Sequence, residues 1–183
     1  NGVPILVPTK EFFDPAHFYF TAPVFYSDAE SLPLYNAILK ELELRIQGIL
    51  GPEIKCKASY AKEDLAIGAL KVDALLHTKA FLNAYQKARY SLLKDLTNED
   101  VASQEKSLRK MKNLWIKQTM ALTQTNSGTA DLIEIGQKFD QADLYMKNYI
   151  RVENASAKDF VDLIEKYFTE TPTFTVYSVD SKK

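Results

Sequence analysis

Apolar residues repeat at two different spacings along this chain, and the change from one spacing to the other limits which folds it can adopt. Between Leu32 and about Ile49 they recur in steps of four, which places them on one face of an α-helix. Between Ile54 and Ser59 apolar and polar residues alternate instead, as in a strand with one buried and one wet face. The chain therefore combines helices with short strands.

The same two patterns predict the elements before and after these segments. Further strands are predicted at Pro4–Pro8, His17–Ala22, Ala66–Leu76 and Phe174–Val179. Helical stripes of apolar residues cover residues 81–92, 101–115, 132–139, 144–149 and 160–168. Thr97 and Ser156 are predicted to cap the N-termini of two of these helices. The order of elements predicts an α+β fold, in which helices pack on one face of a mostly antiparallel sheet.

Composition and charge are those of one ordinary globular domain. The chain has 183 residues, of which 46% are apolar and 26% are charged, and its formal net charge is −1. This balanced charge argues against a nucleic-acid partner. No apolar run approaches the ~18 residues that a membrane span requires, so no membrane partner is expected either. Because the chain begins at Asn1 and not at Met, we expect it to be part of a longer protein, whose compartment stays open.

Few residues are suited to chemistry. The two histidines, His17 and His77, lie far apart, and neither belongs to an H-x-x-E-H or H-E-x-x-H motif. Cys56 is on the apolar side of its predicted strand, where packing is a simpler role than nucleophilic attack. A basic stretch over residues 106–117 is interpreted as a wet helix face. We therefore predict no catalytic residue, no metal ligand and no cofactor bound by this chain.

Arg45 is the residue with the strongest claim to a binding role. It lies near the end of the first predicted helix, just before a glycine-rich turn and a strand. A guanidinium fork at such a helix end can grip a peptide carbonyl or carboxylate. The simpler interpretation is an exposed arginine paired with Glu41 one turn earlier, and Glu41 and Glu43 are then read as a solvated face.

Three phrases of the chain resemble the insulinase/pitrilysin family of zinc peptidases, and in particular the domain of those proteins that carries no zinc. Residues Glu43–Gly51 look like the family phrase L-R-x-x-x-x-L-G-Y. Residues Leu93–Asp100 look like its L-x-x-L-T-x-E-E helix entry. Residues Ser156–Phe168 look like its terminal helix, T-x-E-D followed by K-Y-F. The resemblance extends from about residue 17 to residue 179.

The resemblance implies a role beside a zinc site that is located elsewhere. It implies that residues 1–183 form one zinc-free domain, that zinc lies on a homologous partner domain or subunit, and that extended peptide is the substrate. It assigns Arg45 and Gly51 to substrate binding. The family tyrosine falls on Pro52, which has neither a hydroxyl nor an N–H and so cannot stabilise an oxyanion.

Two other interpretations stay open at this point. The chain is then either a degenerate relative that acts as a structural or protein-binding subunit, or an unrelated interaction module of helices on a sheet. Pro52 favours the first of these two, because it replaces the residue that would contact the reacting peptide.

Overall fold

The described strands and helices follow one another along the chain in the order that the sequence predicts. The computed structural model describes residues 16–23, 31–52, 56–60, 67–76, 78–138, 140–141, 143–170 and 174–177. The strands are β1 (Ala16–Pro23), β2 (Cys56–Tyr60), β3 (Ile67–Leu76) and β4 (Phe174–Tyr177). Their order is β2-β3-β1-β4, and each of these pairs is antiparallel. The strand predicted at Pro4–Pro8 lies outside the described residues.

Six helices make up most of the described chain. They are α1 (Leu32–Leu50), α2 (Thr78–Leu96), α3 (Val101–Thr123), α4 (Asn126–Lys138), α5 (Leu144–Asn154) and α6 (Ala157–Tyr167). Helix α1 packs against α2, α3, α5 and α6, and it also lies against β2 and β3. It is therefore the central element around which the other helices are arranged. None of the helices, as far as they are described, is long and apolar enough to cross a membrane.

The predicted α+β fold, with a mostly antiparallel sheet as its framework, has to be corrected in its balance, because an antiparallel sheet is present but helices make up most of the described chain. The residues whose side chains are described lie on the helices or directly beside them, and their buried members surround α1. The part of the hydrophobic core whose side chains are described is built from helices around α1. The strands are 4–10 residues long and the helices 11–23, so helices and not the sheet make up most of the described chain.

Helix α1 forms where its apolar spacing predicts it. Leu34, Ile38, Leu42 and Ile46 are all fully buried, as their steps of four require. Pro33 lies in the first turn, where its missing N–H breaks no helical hydrogen bond. The stripe continues into the core through Tyr35, whose ring centroid lies 4.9 Å from that of Phe168.

The start of α3 differs from the prediction. Thr97 does not cap α3, because its backbone N–H and its hydroxyl both donate to the carbonyl of Leu93 at the end of α2. Asp100 is the N-cap instead, and its side chain accepts from the backbone N–H of Ala102 at 3.3 Å and from the Ser103 hydroxyl at 2.6 Å. The helix dipole favours a carboxylate near the free N–H groups at a helix start. Asp100, three residues after Thr97, is therefore the cap.

Ser156 caps α6, as the sequence predicts. Its hydroxyl accepts from the backbone N–H of Asp159, and the Asp159 carboxylate accepts from the backbone N–H of Ser156 at 2.8 Å. The hydrogen bond from Ser156 is the main reason that the pKa of Asp159 lies below its ordinary value. Because the folded pKa is the lower one, this contribution to stability is present above the unfolded pKa and is lost as pH falls through the folded pKa.

Replacing Ser156 with alanine should lower the free energy of unfolding by about 1 kcal/mol, because the cap loses its hydroxyl acceptor. Urea unfolding near neutral pH measures this change. Ser107, inside α3, is the matched control, since Ser107→Ala should change stability by at most about 0.5 kcal/mol and toward greater stability. Equal effects at the two serines would show that the cap contributes nothing.

Candidate functional site

Arg45 lies at the meeting point of α1 and α2 and does not project freely into solvent. Its side chain is 17% exposed. Its Nε donates to Glu41 at 2.9 Å, its Nη1 to the Ser91 hydroxyl at 2.6 Å and its Nη2 to the Asp95 carboxylate at 2.7 Å. The pairing with Glu41 is the one that the sequence offered as the simpler interpretation. The contacts with Ser91 and Asp95 on α2 could not be read from the sequence.

Glu41 is the buried centre of this cluster, which corrects its interpretation as part of a solvated face. Its side chain is fully buried, and the neighbouring Glu43 is buried as well. Its Oε1 accepts from Arg45 and also from Lys110 on α3 at 3.0 Å. Its Oε2 is buried without a hydrogen-bond partner within the described residues. The Glu41 carboxylate therefore contacts two cations, Arg45 on its own helix and Lys110 on α3.

The contacts of Arg45 differ in how firmly they are held. Separating a buried pair costs about 3–5 kcal/mol, because it leaves a charge without compensation inside the protein. Exposed pairs contribute about 0–1 kcal/mol, because water replaces the partner readily. The pair of Arg45 with Glu41 is a buried one, because the Glu41 side chain is 0% exposed. Asp95 is 39% exposed and Ser91 lies at the surface, so these contacts belong with the exposed pairs. The Nε side of Arg45 is thus fixed, and its Nη side is exchangeable.

Gly51 and Pro52 follow Arg45 at the end of α1. The N–H of Gly51 donates to the carbonyl of Gln47 at 3.0 Å, and its own carbonyl accepts from the Gln47 amide at 2.6 Å. Gly51 has a φ of 90°, a conformation that strains residues with a Cβ. Pro52 is exposed directly after it. No described contact joins Gly51 to Arg45, so the substrate-binding role of Gly51 stays a prediction.

Replacing Gly51 with alanine should destabilise the chain by about 1–2 kcal/mol, because alanine would have to adopt the positive φ. Thermal unfolding measures this change. Gly48 is the matched control, since it lies inside α1 and a Cβ there would meet nothing within 4 Å. Gly48→Ala should therefore stabilise by about 0.5–1 kcal/mol. The prediction for Gly51 fails if both substitutions stabilise.

A second polar region lies between α3 and α5. It is a groove of about 290 Å³, lined by Glu105, Leu108, Arg109, Lys112, Asn113 and Glu153. Lys112 donates to the backbone carbonyl of Glu153 at 2.8 Å, and burial lowers its pKa. Two of the lining residues are acidic and two are basic, so the groove has no net charge that would select a ligand. Two lysines of the basic stretch of α3 thus make contacts within the chain, Lys110 with Glu41 and Lys112 with the Glu153 carbonyl.

The described side chains offer no ligand set for a catalytic zinc ion. Among the residues whose side chains are described, no three histidine, cysteine, aspartate or glutamate residues converge as metal ligands would. The side chains of His17, Cys56 and His77 lie outside the described residues, so the predicted lack of ligands there stays a prediction. The full sequence contains no H-x-x-E-H motif.

Comparison with known proteins identifies the fold. The sequence matches no protein-family model and no curated protein. The structure is similar to a "putative zinc protease" from Bordetella pertussis Tohama I, with a TM-score of 0.65, 10% identity, and 90% of this chain and 93% of that chain covered. It is also similar to the inactive peptidase domain of such a protease from Bordetella parapertussis, with a TM-score of 0.62, 10% identity and 97% of each chain covered.

A third solved structure is longer than this chain. A protease from Helicobacter pylori matches with a TM-score of 0.62 and 12% identity, over 88% of this chain but only 39% of that protein. The chain thus has a zinc-protease-like fold that also occurs as part of a longer protein. At these identities the likeness concerns the fold alone.

Proposed function

We propose that this chain is the non-metal-binding domain of an insulinase/pitrilysin-type zinc metallopeptidase. In this proposal the domain helps to enclose extended peptide and positions it against a zinc-bearing partner domain. One observation carries the proposal: the chain shares its fold, over nearly its whole length, with zinc-protease domains that include one described as inactive. The absence of H-x-x-E-H from the sequence agrees with a domain that leaves the chemistry to its partner.

Arg45 is the residue that would hold the peptide. It carries a permanent charge and a planar fork, and among the described residues its Nη nitrogens contact the exposed Ser91 and the partly exposed Asp95. A peptide oxygen would therefore compete with Ser91 and Asp95 but not with Glu41. Gly51 would allow the chain to turn away directly after this position, because its conformation suits glycine.

Arg45→Lys in the complete zinc-containing protein should lower kcat/KM for an extended peptide about 10–100-fold, since lysine keeps the charge but loses the fork. Lysine is preferable to alanine here because it still offers Glu41 a positive charge. Arg109→Lys is the matched control, since Arg109 is exposed and makes no ion pair within the described part of the chain. An unchanged kcat/KM for Arg45→Lys would remove Arg45 from the site.

A second candidate function is that of a degenerate subunit that binds a partner protein without contributing to catalysis. Two observations favour it, namely Pro52 in place of the family tyrosine and the three hydrogen bonds that occupy Arg45 within the chain. Co-purification and activity separate the two candidates. Variants of a degenerate subunit would change assembly alone, whereas variants of a substrate-positioning domain would change kcat/KM in an intact assembly.

A further inference from the structure

The two terminal nitrogens of Arg45 are occupied in a way that indicates the ligand they would accept. Ser91 and Asp95 are one turn apart on α2 and therefore face the same side of that helix. Together they offer one hydroxyl oxygen to Nη1 and one carboxylate oxygen to Nη2. A ligand carboxylate offers two oxygens to the same two nitrogens, in parallel and with one negative charge. Ser91 and Asp95 therefore occupy the two nitrogens that a ligand carboxylate would need.

We infer that Ser91 and Asp95 form an internal latch on Arg45, and that the ligand which displaces this latch is a free carboxylate of a peptide. The inference rests on the proposed function, because it takes Arg45 to be the residue that binds peptide. A main-chain carbonyl has one oxygen and no charge, so it competes poorly with Asp95. A carboxylate matches both the charge of Asp95 and the spacing of the two nitrogens.

Glu41 has a different part in this arrangement. Its carboxylate holds Nε from a fully buried position, so the guanidinium stays in place while its Nη side changes partner. Lys110 contacts the same oxygen of Glu41 and helps to balance its charge. Glu41 is accordingly a positioning residue, because it acts on the ligand only through Arg45.

The latch lowers the apparent affinity for peptide, because only molecules with an open Nη side can bind. Asp95→Asn removes the competing charge and should tighten binding of a carboxylate peptide by up to about fivefold, the range that one exposed ion pair allows. Ser91→Ala frees only Nη1, so it should give a smaller gain in the same direction. These two variants change surface groups, so the helical core is left intact.

Binding is measured by fluorescence anisotropy with labelled short peptides and the complete protein. A chelator is present, so that a zinc ion neither cleaves the peptide nor binds its carboxylate. Three peptides are compared: one with a free C-terminal carboxylate, the same peptide amidated, and an amidated peptide with an internal glutamate. The first and third separate a terminal carboxylate from a side-chain carboxylate. Thermal unfolding of each variant confirms that it is folded.

Tighter binding of a carboxylate peptide to Asp95→Asn, lost again in Arg45→Lys/Asp95→Asn and absent for the neutral amidated peptide, supports the latch. If Arg45→Lys weakens binding to the otherwise unchanged protein but Asp95→Asn does not tighten it, the latch is overturned and the proposed function stands. If neither substitution changes binding of any peptide, Arg45 is not a peptide-binding residue, and the latch falls together with that part of the proposed function.

Discussion

Replacing Phe168 with alanine should lower the free energy of unfolding by about 3–5 kcal/mol, which is the range for truncating a buried phenylalanine. Phe168 follows the last turn of α6 and is fully buried. Its ring packs against Tyr35 of α1, with the two ring planes tilted by 30°. Its backbone carbonyl accepts from Nε of Arg89 on α2. The substitution therefore opens a cavity where three helices meet.

The measurement is unfolding by urea, and the same loss should appear as a fall of roughly 6–20 °C in the unfolding temperature. Tyr90 on α2 is the matched control, because its aromatic side chain is 70% exposed. Tyr90→Ala should change stability by about 0.5 kcal/mol or less. If the two truncations cost the same, α6 does not pack on α1 as described.

Arg45→Ala should lower the free energy of unfolding by about 2–4 kcal/mol, whether or not Arg45 binds peptide. The substitution removes the bonds that join α1 to α2 and leaves the buried carboxylate of Glu41 with Lys110 as its one described cation. Breaking a buried pair from one side usually costs about 3–5 kcal/mol. We place the value somewhat lower, because Lys110 keeps its contact with Glu41 and because Asp95 is free to turn toward water.

A double substitution tests this cause. Glu41→Gln removes the buried charge, so Arg45→Ala/Glu41→Gln should be more stable than Arg45→Ala alone by about 1 kcal/mol or more. Arg109→Ala is the control for the loss of an arginine and should cost about 0.5 kcal/mol or less. The explanation is refuted if the double variant is less stable than Arg45→Ala. A loss of activity in Arg45→Ala is therefore evidence for a functional role only when it is corrected for folding.

Much of the local structure could be predicted because its causes are local. The helices were located by spacing alone, since a stripe such as Leu34, Ile38 and Leu42 fixes which face of α1 is buried. Ser156 could be recognised as a cap for the same reason, because it bonds to Asp159 only three residues away. Thr97 was assigned to the wrong helix because two candidate caps lie within four residues, and the spacing does not choose between them.

The sequence carries a signal for the burial of Glu41. Glu41 comes three residues after Ile38 and one before Leu42, so it lies at the edge of the buried stripe. A carboxylate at that position must find a cation, and Arg45 one turn later is the nearest. Lys110 could not be foreseen in the same way, because it lies on α3, sixty-nine residues after Glu41.

The sequence by itself determined which faces of α1, α2 and α6 are buried, and that Arg45 is within reach of Glu41. These properties depend on helical geometry over one or two turns, which short stretches of sequence specify. The tertiary structure alone decided what occupies the other side of Arg45. Ser91 and Asp95 are 46 and 50 residues away, so their contact with Arg45 depends on how α1 and α2 pack and not on any local spacing. For the same reason, only the packed helices show that the fork of Arg45 has a buried, fixed side and an exposed, exchangeable one.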